Sequence, residues 1–203
     1  MARYRGPKFK LSRREGVNIT GTTSPRLEKV LQQPPGEGAR GGRRRRRKGG
    51  DYSVRLRAKQ RVRNEYGLLE SQFRKTFERA RKMAGPTGAN LLQLLERRLD
   101  NVIYRLGYAR TRPLARQLVS HGHVNVNGRR VTIPSYEVKP GDVVELRPSA
   151  LKMPLVQEEM QTRGVTASWL ERDTGSARIT GLPRREDAPA DIREDLVVEF
   201  YSR

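Results

Sequence analysis

The stretch Thr111 to Arg147, TRPLARQLVSHGHVNVNGRRVTIPSYEVKPGDVVELR, decides the fold. Thr111 is placed to cap a helix whose first turn holds Pro113, a residue tolerated where the backbone has no amide partner to lose. Leu114, Ala115, Leu118 and Val119 form one apolar face at helical spacing. Gly122 then ends the helix as a left-handed cap. Val124, Asn125 and Val126 alternate as a strand, and Asn127-Gly128 behind them is the strongest short hairpin signal a sequence carries. A second turn, Lys139-Pro140-Gly141-Asp142, leads into a strand over Val143 to Leu146.

The basic groups of this small α+β unit suit a phosphate-binding face better than a merely solvated surface. Arg112 and Arg116 lie four apart on the helix and leave its apolar face free. Arg129 and Arg130 follow the turn at once, with His121, His123, Asn125 and Asn127 as hydrogen-bonding groups nearby. Such a mixture reads a folded RNA by shape and backbone rather than a DNA groove.

Upstream, Leu91, Leu92, Leu95, Leu99, Val102, Ile103 and Leu106 predict one broad-faced helix within residues 87–107. Burying several of them would contribute about 1.5–3 kcal/mol each. Before it, Phe73, Phe77, Ala80 and Ala84 make a helical seam closed by Gly85-Pro86. Val54, Ala58, Val62 and Tyr66 make another, stopped by Gly67. Helical spacing marks Phe73 and Phe77 as core rather than base-stacking platforms. Arg55, Arg57, Lys59, Arg61 and Arg63 flank the earlier seam as basic edges and are expected on RNA.

Residues 1–50 are poor in apolar groups and cannot bury enough surface to offset their ordering entropy. Arg3 belongs to this arm, as do the six consecutive cations Arg43, Arg44, Arg45, Arg46, Arg47 and Lys48. The arm is expected to order on RNA by neutralising phosphates, arginine adding forked hydrogen bonds that lysine does not. Downstream of Arg147 the signals weaken. Leu155 to Thr162 reads as a short helix. Ala167 to Leu170 and Ala177 to Ile179 read as strands around an Asp173-Thr174-Gly175 turn, with Trp169 in the core. Asp191 and Glu194 stand as cap and third-position partner of a last helix. Ile192, Leu196, Val197, Phe200 and Tyr201 fit that helix, although the valine pair also suits a strand.

The 203 residues hold 43 basic and 22 acidic side chains, a net charge of +21. A polyanionic partner follows. Residues 1–50 carry 15 basic and 3 acidic groups, whereas residues 151–203 carry 8 and 10, so the polyanion belongs along the first three quarters. No long apolar run or lipidation signal supports a membrane surface instead. No cleavable leader is expected, because the N-terminal charges are not followed by an apolar core. With no cysteine there is neither a disulfide framework nor a thiolate metal site, and the cytosol is the default compartment.

The run ARQLVSHGHVNVNGRRV resembles the small RNA-binding module shared by ribosomal protein S-four, pseudouridine synthases and tyrosyl-tRNA synthetases. LERRLDNVIYRLG at Leu95 to Gly107, the opening MARYRGPKFKLSRREG and the closing VVEFYSR extend the resemblance to the bacterial ribosomal protein S-four family. It runs end to end, with only about residues 18–50 divergent. An α+β fold is expected: a basic extended arm over 1–50, a helical domain over 51–88 completed by 188–203, and a second domain over 89–187. That second domain would hold the RNA-binding module, at about 95–150, and a small antiparallel sheet. Many relatives bind zinc with four N-terminal cysteines. Here Phe9-Lys10-Leu11-Ser12 and Ser24-Pro25-Arg26 carry none, and two histidines do not replace four thiolates, so no cofactor and no zinc are expected.

The resemblance implies a primary binder of small-subunit ribosomal RNA that holds a multi-helix junction of the 5′ domain early in assembly and influences decoding accuracy. The expected mechanism is electrostatic clamping between two domains plus shape readout, without chemistry. It implies a place near messenger RNA where it enters the subunit. It also points to the neighbouring protein S-five as partner of the acidic end, through Glu171, Asp173, Glu186 and Asp187. The rival reading is that these acids pair with the chain's own basic helices. An enzyme carrying the same module, such as a pseudouridine synthase, would need a separate catalytic domain with an aspartate in an apolar pocket, and residues 148–203 are too few. Binding to its own messenger would coexist with the structural role.

About ten phosphate contacts would make RNA affinity fall steeply with salt. Deleting residues 1–50 is expected to flatten the slope of log affinity against log salt. An unchanged slope in filter binding would remove the arm from the interface.

Overall fold

A computed structural model describes residues 4, 6–19, 21, 24–31, 50–165 and 167–202. Arg3, Arg43, Arg44, Arg45, Arg46, Arg47 and Lys48 lie outside them. In chain order the helices are α1 (Lys8–Glu15), α2 (Pro25–Leu31), α3 (Asp51–Glu65), α4 (Glu70–Lys82), α5 (Thr87–Glu96), α6 (Leu99–Arg105), α7 (Arg112–Ser120), α8 (Pro148–Leu151), α9 (Pro154–Thr162) and α10 (Glu194–Tyr201). The strands are β1 (Val124–Val126), β2 (Arg129–Arg130), β3 (Val143–Leu146), β4 (Leu170–Arg172) and β5 (Ser176–Ile179). A 3-10 turn covers Arg185–Asp187. Among the described residues no helix is long and apolar enough to cross a membrane.

The chain forms two compact units, one of residues 1–77 with 191–203, the other of residues 78–190. The divisions fall after Phe77 and Ala190, not after residues 88 and 187, and the arm expected to be extended over 1–50 holds the helices α1 and α2 where it is described. One reason is local: Asn90 of α5 donates its amide to the carbonyls of Ala80, Met83 and Ala84, the last oxygens of α4 and its exit, at 3.1–3.4 Å. Those carbonyls have no intrahelical donor, so the end of α4 belongs with α5.

In the first unit α10 packs on α3. Tyr201 stacks on Phe77 with centroids 4.5 Å apart and lies 6.3 Å from Phe73. The predicted seam of α3 is buried at Val62 and Tyr66, but Val54 is exposed. Lys59 takes a place beside that seam, and the expectation that it is a surface cation is corrected. It is 5% exposed, its ammonium 2.6 Å from Glu70 and 4.5 Å from the Phe200 ring centroid. A lysine can be buried when its charge is paired and its stem covers apolar surface. The last helix starts at Glu194, with Arg193 rather than Asp191 at the cap position. Asp191 is drawn away as acceptor for Arg61, and the acids of the first turn, Glu194 and Asp195, meet the positive end of the helix dipole.

In the second unit the five antiparallel strands lie in the order β2-β1-β3-β5-β4. Val124, Val126, Val144, Leu146, Ala177 and Ile179 are buried in one cluster with Leu99, Ile103, Leu106, Leu118 and Val119 of the helices. Trp169 is in the same core, as expected, while the strand expected at Ala167 begins only at Leu170. Tyr108 is fully buried; its hydroxyl donates to the Ser176 carbonyl at 3.1 Å, and burial pushes its pKa up to about 12.

The single helix expected over 87–107 is two helices. Arg98 is extended between them, φ −65° and ψ 136°. The cause is non-local. Arg98 forms an antiparallel bridge with Glu137, Leu99 N–H donates to the Tyr136 carbonyl at 2.8 Å, and Val138 N–H donates to the Arg97 carbonyl at 3.0 Å. A strand-like pairing with 134–138 takes the backbone groups that a continuous helix would use internally.

Arg79 locks the outer side of that segment, its two terminal nitrogens 2.5 and 2.9 Å from the Glu137 carboxylate. The Arg79 hydrogen bonds hold Glu137 below its ordinary 4.5 against the opposing effect of burial, with the charges of Arg79, Arg97 and Arg98 helping. A lowered carboxylate stabilises the fold above its ordinary pKa, and that stability is lost as pH falls through the lowered value. The stability gap between the wild type and Glu137→Gln is therefore expected at neutral pH and should close on acidification below 4.5. Urea titrations of both proteins across that range measure it.

Candidate nucleic-acid interface

Helix α7 begins as its sequence dictates. The Thr111 hydroxyl accepts from Leu114 N–H at 3.2 Å, and Pro113 sits in the first turn. It ends in a left-handed turn at Gly122, φ 76°. There Gly122 N–H reaches the Val119 carbonyl and His123 N–H the Leu118 carbonyl, the paired closure that satisfies the last oxygens of a helix. Strand β1 follows directly. Asn127 and Gly128 at φ 50° and 73° make the tight two-residue turn into β2, putting Arg130 opposite Asn125 and Arg129 opposite Val126.

This geometry brings His121, His123 and Arg130 to one end of the module, while Arg129, beside the hairpin turn, stands opposite Val126. His121, Arg129 and Arg130 are exposed, and His123 and Asn125 are half-buried. The two imidazole centroids are 6.3 Å apart. An Arg130 terminal nitrogen donates to the His121 carbonyl at 3.4 Å. Arg147, which the sequence did not single out, donates from its side chain to the Gly122 carbonyl at 3.3 Å. Nothing in the sequence signals a side chain bonded to a carbonyl 25 residues away.

Asn127 has a different place from the one expected. Its carbonyl accepts from Val143 N–H and its amide donates to Asp142, both at 2.9 Å. It ties the hairpin turn to β3 rather than offering its amide outward, because its left-handed backbone aims the side chain across the sheet end.

Arg112 and Arg116 turn toward α6 instead of outward. Arg112 donates to Asn101 at 2.9 Å, its guanidinium 4.6 Å from the Tyr104 ring centroid. Arg116 is buried, 3.7 Å from Asp100, which also takes a forked pair of bonds from Arg98 at 3.1 and 2.8 Å. Glu96, fully buried, accepts from Asn101 at 2.6 Å and from Arg105 at 2.9 and 2.8 Å. The two carboxylates anchor one polar layer between α5, α6 and α7. Four apart on a helix predicts a shared face, and here that face is the one against a neighbouring helix.

The basic edges of α3 are similarly engaged. Arg55 meets Glu199 at 2.6 Å, Arg63 meets Glu70 at 3.2 Å, and Arg61 meets Asp191. Burial pushes Glu70 up, but the hydrogen bonds of Lys59 and Tyr201 with the charges of Lys59 and Arg63 outweigh it, and its pKa is lowered. Arg57 alone of the five predicted cations is fully on the surface. Of the four predicted protein-contact acids, Glu171, Asp173 and Glu186 are exposed. Asp187 is a correction: it is 9% exposed and accepts from the Ser168 amide and hydroxyl at 3.0 Å and from Arg184 N–H at 2.7 Å. Its own fold uses up its oxygens.

Removing one partner of a buried ion pair leaves the other charge uncompensated, at roughly 3–5 kcal/mol. Asp100→Ala, which takes a buried carboxylate from both Arg98 and Arg116, is expected to destabilise the chain by about 3 kcal/mol in urea unfolding. A change within ordinary surface scatter would mean that water, not Asp100, solvates those guanidiniums.

Residues 97–144 match the family model described as the S4 domain, and residues 3–96 match that of the ribosomal protein S4/S9 N-terminal domain. The chain is 46% identical over 205 residues to the small ribosomal subunit protein uS4 of Brevibacillus brevis, covering all of both chains. It is 49% identical over 209 residues to the protein of that name from a Roseiflexus species, and 48% over 213 to that from Geotalea uraniireducens, again with full coverage.

Proposed function

The chain belongs to the ribosomal protein S4 family, and from that premise we propose that it binds small-subunit ribosomal RNA directly, nucleates assembly of the 5′ domain and contributes to translational accuracy. Membership supports a structural protein of the small ribosomal subunit, working in the ribosome, and the chain is read as non-enzymatic. One observation carries the RNA reading: a tight hairpin holds Arg129 and Arg130, both exposed, with Arg130 bonded to the carbonyl of the exposed His121, in a chain of net charge +21.

The mechanism uses charge and shape. Exposed guanidiniums release counterions from phosphates and make forked, charge-assisted bonds to their oxygens. The polar layer around Glu96 and Asp100 contributes indirectly, since it holds α6 and α7 in one register beneath the hairpin. Arg57 and the arm, with Arg3 and the six cations from Arg43 to Lys48, are read as further phosphate contacts. Arg55, Arg61 and Arg63 reach RNA only as far as their carboxylate partners leave them donors. The chain is read as working without zinc, since it has no cysteine.

Protein S-five and messenger RNA where it enters the subunit are the further partners in this reading. Glu171, Asp173 and Glu186 suit a basic neighbour by charge, each weak alone and effective together. Asp187 is left out, being bonded within its own unit.

Filter binding of a 5′-domain ribosomal RNA fragment tests the hairpin. Arg129→Glu with Arg130→Glu is expected to weaken affinity by about 3 kcal/mol, some two orders of magnitude, with circular dichroism unchanged. Unaltered affinity would take the hairpin out of the interface; unfolding would make the two arginines structural.

A further inference from the structure

Two glycines of the second unit, Gly128 at φ 73° and Gly141 at φ 91°, have nothing within 4 Å of where a Cβ would lie. Their turns alone require them. Gly122, at φ 76°, differs: a Cβ there would overlap Nε, Nη2 and Cζ of Arg130. The arginine side chain lies flat on the bare face of the turn. It is tethered there by its bond to the His121 carbonyl at 3.4 Å, yet remains exposed. From just past the end of β3 Arg147 grips the same turn twice, through its side chain to the Gly122 carbonyl at 3.3 Å and its backbone N–H to the His123 carbonyl at 2.9 Å.

We propose that the turn His121-Gly122-His123, braced by Arg147, is a platform that positions the Arg130 guanidinium for an RNA phosphate, the guanidinium lying in the space left open by the glycine that the left-handed backbone at 122 requires. This rests on the reading of the hairpin as RNA-facing. A long arginine on a two-residue edge strand would otherwise lose much rotamer freedom on binding, and fixing it beforehand removes part of that cost. Two guanidiniums on consecutive carbonyls, those of His121 and Gly122, also bring like charges to one turn. The carbonyl dipoles offset part of their repulsion, and a phosphate arriving over them would offset the rest. Arg130 is thus a contact residue, and Gly122 and Arg147 are positioning residues.

The test is a double-mutant cycle on a 5′-domain ribosomal RNA fragment, read by filter binding over a salt series. Gly122→Asn adds the Cβ with a residue that tolerates a left-handed backbone. It is expected to weaken binding about tenfold when Arg130 is present, and by no more than about twofold in an Arg130→Ala background. The salt slope should drop by roughly 0.7–0.9, the share of one lost phosphate contact. Gly141→Asn, matched for backbone strain, should leave affinity unchanged. Arg147→Met goes through the same cycle, so that the outcome does not hang on one variant folding. Equal losses with and without Arg130, in both cycles, would make the turn merely structural and overturn the proposal; so would an Arg130→Ala protein that binds like the wild type. Failure of the wild type itself to bind the fragment would instead defeat the RNA reading on which the proposal stands.

Discussion

The antiparallel bridge between Arg98 and Glu137 is the constraint on which the second unit is built. It stops α5, turns the chain, and starts α6 with its first amides already bonded to the Tyr136 and Pro134 carbonyls. The same pairing delivers Asp100 and Asn101 to the first turn of α6, where they meet Arg98, Arg116 and Arg112 from two directions. Without the break, one long helix would carry Glu96 and Asp100 on a continuous face, and the polar layer under α7 would have no second wall. The hairpin arginines depend on that layer for their orientation, since β1 leaves the end of α7 after a single turn.

Charge is handled in the same way throughout. A chain of net +21 has too few acids to neutralise itself, and a few of them take packing positions. Glu96, Asp100 and Asp187 are buried, and Glu70 gathers Lys59, Arg63 and the Tyr201 hydroxyl. Such pairs contribute little net stability, because desolvation opposes attraction. Their effect is specificity: each fixes which helix faces which.

The acidic end therefore divides. Asp191 and Glu199 hold the first unit together through Arg61 and Arg55, and Asp187 closes the 3-10 turn against Ser168. Glu171, Asp173 and Glu186 stay at the surface. Internal pairing thus accounts for some acids of this segment and leaves others at the surface.

Local signals alone made the module from Thr111 to Leu146 legible. The Thr111 cap, Pro113, the left-handed Gly122 and the Asn127-Gly128 turn each act over two to four residues, and each stands where its chemistry requires. The core faces of α4, α6 and α7 were readable for the same reason, since a 3.6-residue period is a local property. Charge also marked the polyanion-binding character. The sequence could not show the break at Arg97-Arg98, two good helix formers interrupted by partners near residue 137. Nor could it show that Arg112, Arg116 and Lys59 turn inward, that Asn127 bonds Val143 and Asp142, or that Arg130 rests on Gly122 with Arg147 behind it. Periodicity tells that a side chain lies on a face; which face meets water and which meets a neighbouring element is decided by partners tens of residues away, and only the folded chain brings those partners within hydrogen-bond reach.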